Sequence, residues 1–268
     1  MTARSGEAYD LRGAKGTLLY TLYGRALDNR AAHPILGDRW AGEVIEKLGG
    51  VTWRMRMGAT DRYVIAIRAD RLDGWTRRFL DAHPDANVLG LGCGLDSRVF
   101  RIDPAPTVRW YDVDYPEVVE LRRRVYPERA GYRMIGSSVT DLDWLDEVSA
   151  DRPTLVVAEG LFMYLPKDDA RRLVATVAER FPSGELAFDV MVPWSARFSR
   201  LFGLHVWGTN DPHEIEGWGR GVRLLEDAPS IAEYARIPVR RYRGNYRLLN
   251  AFTATRNIIR PLRYRFGD

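Results

Sequence analysis

The chain has 268 residues, 46% of them apolar and 28% charged, with a formal net charge of +4. That length suffices for one large domain with a buried core, and the composition excludes wholesale disorder. A single cysteine, Cys93, excludes an intrachain disulfide framework and a Cys-rich zinc cluster. His33, His83, His205 and His213 show no paired ligand spacing, so no metal site is expected.

Residues 1–82 read as a helical cap. Leu18, Leu19, Leu22 and Tyr23 share one face at helical spacing, as do Trp40, Val44, Ile45 and Leu48, where Gly49-Gly50 ends the helix. A third helix runs through Val64, Ile65, Ile67, Leu72, Trp75, Phe79 and Leu80 until His83-Pro84 stops it. From residue 83 to 192 short apolar runs alternate with longer stretches: Asn87–Leu91, Val108–Val113, Tyr132–Ile135, Thr154–Ala158 and Glu185–Val190. Arg171–Arg180 is the clearest crossover helix. This alternation predicts a parallel sheet with helices on both faces.

Residues 193–226 break the pattern with Trp194, Phe198, Phe202, His205, Trp207 and Trp218. The stretch predicts an insertion or lid over a site, with the packing of an ordinary extra helix as the equal alternative. Ile237–Tyr242 and Leu248–Ala254 read as extended and are expected to finish the sheet as an antiparallel pair. Residues 227–268 then rejoin 83–192 in the sheet core of a single domain. From Arg236 to Asp268 there are nine arginines and one acid. A basic face for nucleic acid or an acidic substrate is one reading; arginines alternating outward along late strands and helix ends is the other. No nucleic-acid recognition motif accompanies the run. The first seven residues have no signal-like apolar stretch, and no apolar run approaches the roughly 20 residues needed to span a bilayer, so a cytoplasmic protein without a membrane partner is expected.

The most informative stretch is Val-Leu-Gly-Leu-Gly-Cys-Gly-Leu-Asp-Ser at 88–97. A buried strand runs into Gly90, Gly92 and Gly94, which let the main chain turn tightly and approach a ligand without side-chain clash. The second strand ends in Asp112-Val-Asp114, and Asp114 lies 20 residues after Gly94. An acid at that strand tip is placed to accept hydrogen bonds from two ribose hydroxyls, which points to an adenosine-type cofactor. The dinucleotide fingerprint is G-x-G-x-x-G; here the spacing is G-x-G-x-G, the form seen in S-adenosylmethionine-dependent methyltransferases. Asp96 is expected to cap the helix after the turn.

Gly90-Leu-Gly-Cys-Gly-Leu-Asp-Ser-Arg98, Tyr111-Asp-Val-Asp-Tyr-Pro116 and Ala158-Glu-Gly-Leu-Phe-Met-Tyr-Leu165 together resemble the leucine carboxyl methyltransferase family, and within it the bacterial polyketide O-methyltransferases. The resemblance runs from about Leu18 to the C-terminus. It implies a class I fold, Rossmann-like, with a seven-stranded mostly parallel sheet, and S-adenosyl-L-methionine as cofactor. It further implies that Gly90 and Gly92 line the methionine part, that Gly94 also belongs to the cofactor site, that Asp114 holds the ribose and that Glu159 faces the amino group. By the same resemblance Arg68 would meet the cofactor carboxylate near the substrate, Tyr164 would belong to the substrate side, and Arg25 would match a basic residue of the cap. The family carries an acid and an apolar residue against the adenine; Ser138 and Val139 stand at those positions here.

The activity expected is O-methylation of a small, polyketide-like molecule. A carboxylate acceptor is already ionised at neutral pH and needs no base; a phenol, with a pKa of about 10, gains from one. His205 and His213 are the histidines near the expected lid. Arg68 could instead pair with Asp70 or Asp73, Glu159 could cap the following helix, and Tyr164 could be a core aromatic. A protein C-terminal carboxyl methyltransferase, a nicotinamide oxidoreductase and a non-catalytic binding module are the rival readings.

Overall fold

The five apolar runs fold as parallel strands: β1 (Asn87–Leu91), β2 (Arg109–Asp114), β3 (Tyr132–Gly136), β4 (Thr154–Ala158) and β5 (Ser183–Met191). Every residue of β1 and β4 is buried, as central strands covered on both faces require. This computed structural model describes residues 14–50, 57–58, 61–199 and 206–267. Two further strands, β6 (Arg223–Asp227) and β7 (Ile259–Gly267), complete the order β3-β2-β1-β4-β5-β7-β6. β7 runs antiparallel to both neighbours. Strand order reverses between β1 and β4, and such a reversal leaves a crevice beyond the carboxyl ends of the two strands.

The three predicted cap helices are α1 (Ala14–Asn29), α2 (Arg39–Lys47) and α3 (Asp61–Ala82). Asp38 caps α2 by accepting from the Trp40 amide at 3.1 Å, and Gly49 and Gly50 end it with φ of +78° and +68°. The cap is no separate layer. Leu22, Val44, Ile45, Leu72 and Trp75 pack in one cluster with Val88, Leu155 and Val157 of the sheet. On the opposite face, Leu173, Val174 and Val177 of α6 (Lys167–Arg180) cover Leu89, Val156 and Leu186. Phe162 stacks on Phe188 at 4.0 Å, and Phe188 on Tyr264 at 5.5 Å, which ties β7 to β5. The shorter helices α4 (Arg98–Ile102) and α5 (Pro116–Val125) follow β1 and β2, with Pro116 opening α5 at a position where its missing N–H costs nothing. Among the described residues, no helix is long and apolar enough to cross a membrane.

Residues 193–226 divide in two. α7 (Pro193–Ser199) turns Ala196 against Met163, beside Val206 and Tyr164. Phe202 and His205 lie outside the described residues. The second half packs onto the sheet core: Ile215, Trp218 and Val222 join the cluster under α6, Trp207 lies 5.6 Å from Trp218, and β6 begins at Arg223, inside the stretch expected to be an insertion.

The expected C-terminal strand pair is not formed. Residues 237–254 instead carry α8 (Arg240–Asn250) and α9 (Thr253–Arg256). Tyr242 and Tyr246, four apart, both turn toward Tyr63 and Ile67, and that helical spacing overrides the local β-propensity. The true last strand alternates as a half-covered strand should, burying Leu262, Tyr264 and Phe266 while Arg265 faces out. Several tail arginines are engaged within the chain: Arg236 with Asp70 at 2.6 Å, Arg263 with Glu226 at 2.7 Å, and Arg260 with Asp227.

Candidate active site

The turn after β1 owes its shape to what surrounds each glycine. A Cβ on Gly90 would meet Asp112 Oδ1 at 2.2 Å, so this position makes room for a carboxylate on the neighbouring strand. Gly92 and Gly94 adopt φ of +57° and +50°, the left-handed region, and a Cβ on Gly92 would lie 2.8 Å from the side chain of Leu161. Gly90→Ala is expected to lower stability by about 1–3 kcal/mol through overpacking against the buried Asp112 side chain. A urea midpoint equal to that of the wild type would refute it.

Asp114 stands at the tip of β2. Its Oδ2 accepts from the Gly94 amide at 2.7 Å and its Oδ1 from the Tyr115 amide at 2.8 Å. Burial pushes its carboxyl above the ordinary range, although the two N–H donors and the Arg122 charge work against the rise.

Opposite this acid lies a lattice of buried ions. Glu159, at the end of β4, accepts through Oε1 from Arg25 at 3.1 Å and from Arg68 at 3.0 Å, and through Oε2 from Arg98 at 2.7 Å. Its side chain is only 4% exposed. Burial pushes its carboxyl up, but the guanidinium groups of Arg25, Arg68 and Arg98 outweigh that and hold it at about 2. Arg68 also donates to Asp189 at 3.1 Å, and the other Asp189 oxygen accepts from the Gly160 amide at 2.6 Å. Asp96 pairs with Arg25 at 3.2 Å, Arg98 at 3.1 Å and Arg101 at 2.7 Å. Asp73 takes Arg98 and Arg101, each at 2.8 Å. One expectation is corrected here, and one alternative reading of Arg68 is not met. Ser97, not Asp96, occupies the N-cap of α4, because Asp96 is drawn into the arginine cluster. Arg68 pairs with neither Asp70 nor Asp73, since those acids face Arg236 and the α4 arginines.

One cavity is lined by Arg68, Gly90, Gly92, Gly94, Asp114, Glu159 and Tyr164, together with Arg25. Most of the residues singled out in the sequence thus converge. Ser138 and Val139 are not among the lining residues: Ser138 Oγ bonds Thr140 Oγ1 at 2.9 Å, and Val139 is buried in the cluster on the α6 side of the sheet. His213 is exposed on a 3-10 turn, 3.4 Å from Glu216, and does not line the cavity either. Glu159 caps no helix; its oxygens are spent on arginines. Tyr164 is half-buried, shares a small cluster with Met163 and Ala196, and burial pushes its hydroxyl up. Sequence reasoning missed Asp189 and the ionic role of Asp96. A lone acid inside the apolar run Leu-Ala-Phe-Asp-Val was the available signal for Asp189.

A sheet of this strand order, with a glycine turn after its first strand and an acid at the tip of its second, defines a class I S-adenosylmethionine-dependent methyltransferase. Comparison with known proteins narrows the assignment. The leucine carboxyl methyltransferase family profile matches residues 19–178. The tetracenomycin polyketide synthesis O-methyltransferase TcmP of Streptomyces glaucescens is 46% identical over 240 residues, covering 85% of this chain and 89% of that one. The S-adenosyl-L-methionine-dependent methyltransferase dpfgK of Gibberella zeae is 32% identical over 272 residues, covering 90% and 89%. Among solved structures, a protein of Thermobifida fusca provisionally classed as a methyltransferase shares the fold with a TM-score of 0.57 at 17% identity, over 91% of this chain and 94% of that one. The chain belongs to the leucine carboxyl methyltransferase family.

Proposed function

We propose that this enzyme methylates a carboxylate oxygen on a polyketide-type small molecule. The observation that carries the reading is the state of the proton acceptors around the cavity. Among the described lining residues, Asp96 and Glu159 are each held by three arginines, Asp112 is paired with Arg122, and the acceptor positions that two amides leave on Asp114 are assigned to the donor's sugar. Burial raises the Cys93 thiol and the Tyr164 hydroxyl. None of these is suited to take a proton from a phenol at neutral pH, so the acceptor oxygen is best delivered already ionised. The 46% identity with an enzyme of tetracenomycin polyketide synthesis supports the substrate class.

The site residues fit the donor. Each oxygen of Asp114 holds one N–H and keeps a free acceptor position for a sugar hydroxyl. Gly90, Gly92 and Gly94 leave the turn open where side chains would intrude. Arg68 and Arg25 beside Glu159 offer both signs of charge to the amino-acid end. When bound, S-adenosylmethionine supplies an electrophilic methyl group on a sulfonium. Arg68 and Tyr164 then orient the acceptor, and α7 with Val206 backs Met163 and Tyr164, which line the cavity. Orientation alone contributes up to roughly 7–11 kcal/mol to such a transfer.

Incubation with S-adenosylmethionine and an aromatic polyketide acid bearing both a carboxyl and a phenol tests this. The expected product is a methyl ester that alkali cleaves, formed equally well by His213→Ala. An alkali-stable ether would replace the carboxylate reading with a phenolic one. Methyl transfer confined to the C-terminal carboxylate of a protein would refute the small-molecule acceptor.

A further inference from the structure

We infer that Arg122 is a positioning residue for donor binding: from the far side of the turn it holds the Gly94 carbonyl and so fixes the backbone of the residue whose N–H orients Asp114. The inference rests on the donor site proposed above. Arg122 lies on α5 with no exposed side-chain surface. Its Nη1 donates to the Gly94 and Asp96 carbonyl oxygens, both at 2.8 Å. Its Nη2 bonds the Asp112 carboxylate and the Tyr132 hydroxyl, the latter at 2.8 Å. Asp112 is held in turn by Trp110 Nε1 at 2.9 Å and the Tyr132 hydroxyl at 2.7 Å. This is the carboxylate that fills the space under Gly90.

These contacts connect in one direction. The guanidinium pulls the carbonyl of Gly94 toward α5. The N–H of the same residue, in the preceding peptide unit, donates to Asp114. A planar fork with several fixed donors can hold two carbonyls and a carboxylate together; a lysine ammonium, a point charge on a flexible stem, cannot span all three. Burying a guanidinium is costly, and stability alone is often served as well by apolar residues of similar volume. The placement is therefore accounted for by what Arg122 orients. Without it, Gly94, at φ +50° and with no side chain to anchor it, is free to change its φ and ψ, and the N–H that aligns the Asp114 carboxylate to the sugar shifts with them.

The test is a double-mutant cycle on the full chain, reading S-adenosylhomocysteine affinity by calorimetry for the wild type, Arg122→Lys, Asp114→Asn and the double variant. Arg122→Lys is expected to weaken binding about tenfold in the wild-type background, and by less than about twofold in the Asp114→Asn background. The milder Tyr132→Phe, which loosens the same fork, is expected to cost about two- to fivefold, and it keeps the test decisive should the lysine variant fail to fold. Equal losses in both backgrounds, or a fall in Tm with unchanged affinity of the folded variants, would reduce Arg122 to a structural part and overturn the inference. A wild-type protein that does not bind S-adenosylhomocysteine would remove the donor reading and this inference with it. Wild-type binding matched by Arg122→Lys and Tyr132→Phe would remove this inference alone.

Discussion

Asp114→Ala is expected to weaken S-adenosylhomocysteine binding by about 10²–10⁴-fold, from the loss of two charge-assisted hydrogen bonds of about 1.5–3 kcal/mol each. The fold should survive, because burial already disfavours this carboxylate and its removal relieves that cost. Calorimetry on a variant with a wild-type unfolding curve would show the effect directly; a loss under about threefold would exclude a ribose contact. The raised pKa also sets a pH dependence. Its contribution to folding is present below the ordinary Asp value and lost as pH rises through the raised one. Donor binding needs the ionised form and runs the other way. Affinity should fall as pH is lowered, beginning above the usual Asp value of about 4, and Asp114→Asn should flatten that acid limb.

Glu159→Gln is the second large effect. Three guanidinium groups share this one carboxylate, and neutralising it leaves buried positive charge uncompensated, at about 3–5 kcal/mol. For a chain of this size that is a fall in Tm of roughly 6–20 °C. The sign of the pH effect follows from the depressed pKa. Glu159 contributes stability above its ordinary value of 4.5, and the contribution is lost as pH falls through about 2. Unfolding curves of wild type and variant should therefore converge on acidification across that window. Curves that stay parallel between pH 5 and 2 would show that the carboxylate is not held by its arginines.

The sheet was legible because its five parallel strands are short apolar runs bounded by polar turns; Asn87–Leu91 and Thr154–Ala158 match β1 and β4 residue for residue. The glycine turn and Asp114 were legible because chain reversal near a ligand leaves few choices of residue type. The C-terminal helices were hidden, since Ile237–Tyr242 mixes β-branched and aromatic residues and only contact with Tyr63 selects the helical face. Arg122 and Asp189 were hidden for another reason. Each lies inside a regular element, and its significance depends on partners that the sequence does not place: Gly94 and Asp96 lie 28 and 26 residues from Arg122, and Gly160 lies 29 from Asp189. Ser138 was legible as a departure from the family pattern, but its bond to Thr140 was not.

The first helix contributes Leu18 over Gly94 and Arg25 between Asp96 and Glu159. Exchange of leading segments between relatives is thereby constrained: a recombined chain must keep an arginine at that place in register, or Asp96 and Glu159 each lose one of their three guanidinium partners.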